Sequence, residues 1–167
     1  MGMWLLPVTA SLLLIATGCD TSERVSRLEK QNKELQEEVR RETATADYDL
    51  QAKCSKDAKA FFREGWGSGG KDVLLLDYRN HYDKKLNKCF ILVEYHYKFG
   101  EGLSWMNDMS LWDVYENSKY GDFSENHTIV AKPDFRSGDE VITCEVTGTQ
   151  CKTVQEFNNL ISPYLNN

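Results

Sequence analysis

Five cysteines carry the reactive chemistry of this chain: Cys19, Cys54, Cys89, Cys144 and Cys151. A thiol can be acylated, paired into a disulfide, bound to a metal or used as a nucleophile, and its neighbours and spacing decide which. Cys19 stands at an abrupt boundary. Met3 to Ile15 is an apolar run closing on small Ala16, Thr17 and Gly18, no charge falls in the first 18 residues, and Asp20-Thr21-Ser22-Glu23 follows. The run is shorter than the roughly 20 residues a membrane-spanning helix needs and has the form of a cleaved export signal. The other four cysteines are an even number, suited to two disulfides in an exported chain. Three pairings are open. Glu145 to Gln150 reads as a tight connection and favours Cys144–Cys151, which leaves Cys54–Cys89 to staple the first helix to the second strand.

The rival uses of these thiols have little support. The spacing Cys144-x₆-Cys151 fits no common zinc finger, and Cys54 and Cys89 have no second ligand close in sequence. There is no Cys-x-x-Cys for a thioredoxin-type redox site. No metal and no cofactor are expected.

The histidines, His81, His96 and His127, form no His-x-x-x-His and no His-Glu-x-x-His, so a metalloprotease has no motif. No Gly-x-Ser-x-Gly elbow is present. The stretch Gly65-Trp66-Gly67-Ser68-Gly69-Gly70 lacks the Lys-Ser/Thr of a phosphate loop and follows a helix, so it reads as a linker. No catalytic residue is assigned; an envelope hydrolase using His81 or His96 stands as the alternative function. Twenty Lys and Arg against 26 Asp and Glu leave a net charge of −6, which argues against nucleic acid. Tyr78, Tyr82, Tyr95, Tyr97, Trp105, Trp112, Tyr115 and Tyr120 are rich enough in aromatic surface to line a pocket or a protein-binding face.

Ala16-Thr17-Gly18-Cys19 resembles the bacterial lipobox. The resemblance implies a Cys19 thiol that receives diacylglycerol, and cleavage just before it. Asp20 resembles the inner-membrane retention signal of enteric bacteria, which tilts the expected location toward the inner membrane. The segment His81 to Phe90 is similar to one in a group of uncharacterised bacterial lipoproteins, and that likeness implies no enzymatic activity.

Elements must hold these residues. From Ser22 to Ala46 there is neither Gly nor Pro, and Glu, Lys, Arg, Gln and Leu dominate, all strong helix formers. Val25, Leu28, Asn32, Leu35 and Val39 follow 3-4-3-4 spacing, with Val and Asn at a and Leu at d. That seam suits a parallel homodimer in which Asn32 sets register and Arg24 reaches Glu29 of a partner. The same segment could serve equally as a monomeric charged spacer of roughly 40 Å at 1.5 Å per residue.

The helical pattern resumes at Tyr48, with Leu50, Cys54, Ala58, Phe61 and Phe62 as one stripe. Five strands are expected: Val73–Tyr78, Cys89–Phe99 with one face buried, about Met109–Glu116, His127–Ala131 and Glu140–Val146. Asp83 to Lys88, Asn117-Ser118-Lys119, and Pro133-Asp134 with Ser137-Gly138-Asp139 read as turns. Thr153-Val154-Gln155-Glu156 matches a capping box, followed by an apolar stripe of Val154, Phe157, Leu160, Ile161 and Tyr164.

The expected fold is α+β, with a helical stalk, a helix, an antiparallel sheet of about five strands, and a C-terminal helix, the helices on one sheet face. The expected organisation is a signal peptide over 1–18, an anchor and coiled-coil stalk over 19–46, and a disulfide-linked domain over 47–167. The expected role is that of a lipid-anchored envelope protein whose domain faces the periplasm or the cell exterior and binds a protein or envelope ligand.

Overall fold

A computed structural model describes residues 18–99, 103–129 and 138–166. The expected signal peptide, apart from Gly18, and Pro133, Asp134 and Ser137 of the expected turn lie outside these residues, while Gly138 and Asp139 of that turn belong to a strand. The fold is α+β. By internal contacts the chain divides between Ala44 and Thr45.

Helix α1, Gly18–Gly65, is 48 residues long and runs through Ala46 to Tyr48 without a break. Its propensity is high, and exposed pairs Arg27–Glu23, Lys30–Glu34 and Arg41–Glu37 at i,i+4 spacing each add about 0.3 kcal/mol. Trp66 donates to the Phe62 carbonyl and Gly67 to that of Arg63. Gly67, at φ 61°, then takes the left-handed conformation that ends a helix. Before Ala44, Val25, Leu28, Leu35 and Val39 are 52–64% exposed. Asn32 accepts a hydrogen bond from Gln36 on the same helix, at 3.4 Å.

After Thr45 the chain builds one antiparallel sheet of six strands in chain order. These are β1 (Val73–Asp83), β2 (Lys88–Phe99), β3 (Leu103–Asp113), β4 (Ser118–Ile129), β5 (Gly138–Val146) and β6 (Thr149–Gln150). Helix α2, Val154–Leu165, follows. Its cap is close to the expected box: Thr153 Oγ1 accepts from the Glu156 amide at 3.1 Å, while Glu156 reaches the amide of Lys152, at 2.7 Å.

The sheet separates two apolar clusters, and β2 shows how. Phe90 and Leu92 pack with Met109, Leu111, Phe123, Val146 and with Phe157 and Ile161 of α2. Cys89, Ile91 and Val93 pack with Cys54 and Ala58 of α1. Successive residues point to opposite faces, so the two helices lie on opposite faces rather than on one. For the same reason β2 is buried on both sides from Cys89 to Val93, not on one; Glu94 to Tyr97 are then half-buried without alternation, and Lys98 and Phe99 are exposed. Burying Phe90, Phe123 and Phe157 stabilises by roughly 2 kcal/mol each. Leu50 and Val154, expected in the stripes, are exposed. Gly121 lies where α2 crosses β4: an added Cβ would meet Val146 Cγ2 at 3.1 Å and Phe157 Cε2 at 3.3 Å.

Two hairpins turn alike. In Asp83-Lys84-Lys85-Leu86-Asn87, the buried Asp83 carboxylate accepts the amides of Lys85 and Leu86 at 2.8 and 3.0 Å. In Asp113-Val114-Tyr115-Glu116-Asn117, buried Asp113 accepts the amide of Tyr115 at 3.0 Å. Asn87 and Asn117 close the two turns at φ 54° and 51°, a conformation Asn tolerates. This Asp-x-x-x-Asn repeat ends β3 at Asp113, so Ser118 and Lys119 open β4 and are not turn residues. On the outer edge, the amide of Tyr82 donates to Gln51 Oε1 and that of Tyr78 to Asp77 Oδ1, both at 2.8 Å.

Candidate functional site

The four cysteines of the sheet domain form two disulfides, Cys54–Cys89 and Cys144–Cys151, with Cα separations of 5.3 and 5.0 Å. The first joins α1 to β2 inside the apolar cluster; the second closes the β5–β6 hairpin around Thr147 and Gly148, both at positive φ. Cys19 falls in the first turn of α1. Among the described residues, no helix is long and apolar enough to cross a membrane, and no group of three or more His, Cys, Asp or Glu could hold a metal.

The histidines do not meet. His81 pairs with Phe90 and His96 with Leu75, on one face of the β1–β2 hairpin. Phe90 and His96 are six residues apart on β2, roughly 20 Å at strand rise, so the two imidazoles cannot act on one substrate atom. His96 borders a cleft of about 520 Å³ beside α2, with Arg79, Glu94 and Asn107. His127 has the most developed setting. Its ring stacks on Trp105 at 4.9 Å and 10°, with Nδ1 2.8 Å from Asp139 Oδ1 and Nε2 3.3 Å from Glu125 Oε2. Both nitrogens face carboxylates, which leaves neither to activate a hydroxyl in the manner of a general base.

The richest chemistry lies on the sheet face that α1 covers only in part. Past Trp66 that face opens into a groove of about 370 Å³. Asp108 and Ser110 of β3, Asp122 and Ser124 of β4, and Thr143 of β5 form its floor. Antiparallel register sets them side by side: Ser110 opposite Asp122, Asp108 opposite Ser124, and Ser124 opposite Thr143. Trp66, Tyr95 and Trp112 border it.

Each charged group is held. Ser124 Oγ donates to Asp108 Oδ1 at 2.6 Å. Lys119 Nζ lies 2.9 Å from Asp122 Oδ1 and 5.2 Å from the Trp112 ring centroid. Tyr97 stacks on Tyr95 at 4.8 Å; burial first, and then the Asp108 charge and a hydrogen bond to it, push the Tyr97 hydroxyl above the ordinary phenol range. The Tyr97 hydroxyl therefore keeps its proton beside the Asp108 charge. The groove gathers a few polar groups between aromatic side chains, and its volume lies at the low end of the range usual for ligand pockets.

Of these residues, Tyr95, Tyr97 and Trp112 stood out in the sequence, while Trp66 was read as part of a linker. The acids and hydroxyls come from three strands, and only the register brings them together.

No protein-family model, no curated protein and no solved structure matches this chain.

Proposed function

We propose that this chain is an exported bacterial lipoprotein, held on the envelope membrane through an acylated Cys19, whose sheet domain binds a ligand in the polar-aromatic groove. The observation that carries the reading is the cysteine inventory. Cys54, Cys89, Cys144 and Cys151 are spent in two disulfides, bonds that persist in oxidising compartments such as the periplasm. The fifth, Cys19, is left where the apolar N-terminal run turns polar. Two or three acyl chains, at about 0.8 kcal/mol per buried CH₂, would make such attachment effectively permanent. Asp20 favours the inner membrane in this reading. The exposed seam of Val25, Leu28, Leu35 and Val39 suits a homodimer. The groove suits binding because it gathers carboxylates and hydroxyls between aromatic side chains.

The test is Cys19→Ser in a bacterial host fed labelled palmitate. The parent chain should take up label and mature, while Cys19→Ser remains an unlabelled precursor. Equal labelling and maturation of the two chains would end the lipoprotein reading.

A further inference from the structure

We propose that the groove binds an uncharged saccharide chain. The inference rests on the binding role of the groove and is independent of the anchor. A carboxylate offers about four lone-pair sites. Asp108 accepts the Ser124 hydroxyl on one of them, which leaves others for a ligand. Asp122 is balanced by Lys119, and Ser110, Ser124 and Thr143 can each accept as well as donate. Acceptors are therefore in excess, and the partner must be rich in donors. Adjacent hydroxyls on a sugar ring meet that need.

Charge narrows the choice. Two carboxylates against one ammonium on the floor repel anionic ligands, so phosphates and uronic acids are disfavoured. A lysine-rich peptide would satisfy the sign. It would not use the hydroxyls, however, and one of the two carboxylates is already neutralised by Lys119. The aromatic border adds to this: Trp66, Tyr95 and Trp112 are partly exposed at the groove, apolar surface of the kind that packs against the C–H groups of a sugar ring.

The full chain, in a zwitterionic detergent free of sugar headgroups, is titrated with maltotriose, cellotriose, tri-N-acetylchitotriose, trigalacturonate and trilysine. Binding is followed by tryptophan fluorescence and calorimetry. At least one neutral trisaccharide should bind saturably, with Kd on the order of 0.1–1 mM, and trigalacturonate should not. Asp108→Asn and Ser124→Ala should each weaken binding about tenfold, or about 1.4 kcal/mol, with an unchanged circular dichroism spectrum.

Absence of binding by every neutral trisaccharide up to about 10 mM overturns the proposal. So does unchanged affinity in both variants. Binding of trilysine alone overturns the saccharide while leaving the groove a binding site. Failure with all five probes, alongside intact labelling at Cys19, removes the groove and leaves the anchor.

Discussion

Lys88 Nζ at the start of β2 lies 2.6 Å from Oδ2 of Asp113, a carboxylate with no solvent exposure, at the end of β3. The contact ties the two Asp-x-x-x-Asn hairpins together across the sheet end, and Glu116 adds a second carboxylate at 2.5 Å. The hydrogen bond to Asp113, then that to Glu116, raise the Lys88 pKa well above its ordinary value of 10.5. A raised pKa means the folded chain holds this proton more tightly than the unfolded one, so the stabilisation is complete below about pH 10.5 and fades as pH climbs toward the folded value. Tyr97, also raised, acts in the same direction near pH 10. Lys88→Met should lower the thermal midpoint by several degrees at neutral pH, because it strands a buried carboxylate. It should also flatten the alkaline fall, without removing the share due to Tyr97. Lys84→Met, at the exposed Lys84–Asp47 pair, is the control; equal midpoints for the two variants would show that the buried contact contributes nothing special.

The two disulfides should be unequal. Chain entropy gives about 4 kcal/mol for the 35-residue separation of Cys54–Cys89 and about 2.5 for the seven of Cys144–Cys151. Replacing Cys54 and Cys89 together by Ala should therefore lower urea stability more than replacing Cys144 and Cys151, and the apolar surroundings of the first pair widen the gap. Free thiols at any of the four positions in unreduced native protein would contradict the pairing.

Asn32 lies between exposed Val25, Leu28, Leu35 and Val39 and meets Gln36 of its own helix. A polar a-position residue weakens association while fixing register, and little more than two heptads are marginal in water. A soluble chain beginning at Asp20 should sediment as a monomer at low micromolar concentration, and Asn32→Val should shift it measurably toward dimer. If Asn32→Val stays monomeric at every attainable concentration, the stripe is a spacer surface.

Gly121 should resist even a methyl group. The added Cβ would press on Val146 and Phe157, both fully buried, and on the Glu145 carbonyl at 3.3 Å, none of which can readily yield. Gly121→Ala should cost about 1–3 kcal/mol, as overpacking does. Chemical denaturation reads the loss directly, and a variant as stable as the parent would mean that α2 can lift from β4 freely.

Much of the frame was legible because local rules governed it. The glycine-terminated helix, the β1–β2 turn that sets His81 beside Phe90, and the Thr153 cap all follow from neighbours in the chain. What escaped was set by distant partners. Ile91 and Leu92 look like alternate inside and outside positions until helices arrive on both faces. The first half of β4 was hidden because Lys119, Asp122 and Ser124 face the groove instead of an apolar core. Two-residue β6 offers no period at all. The groove stayed hidden for the same reason: Asp108, Asp122 and Thr143 are ordinary polar residues until strand pairing sets them side by side.

A sheet whose strands follow chain order must leave two edges, and this one treats them differently. At one edge the two-residue β6 covers only Glu145 and Val146 of β5 and leaves the earlier residues of β5 as the border. At the other, β1 presents eleven residues, with Leu74 and Leu75 exposed, the kind of border that recruits foreign strands. The amides of Tyr78 and Tyr82 are already engaged by Asp77 and Gln51, and the register slips between Val73 and Leu75. An incoming strand would find its donors occupied along one half of the border and its spacing broken at the other. The β1 border is thus guarded against strand addition without the sheet being closed into a barrel.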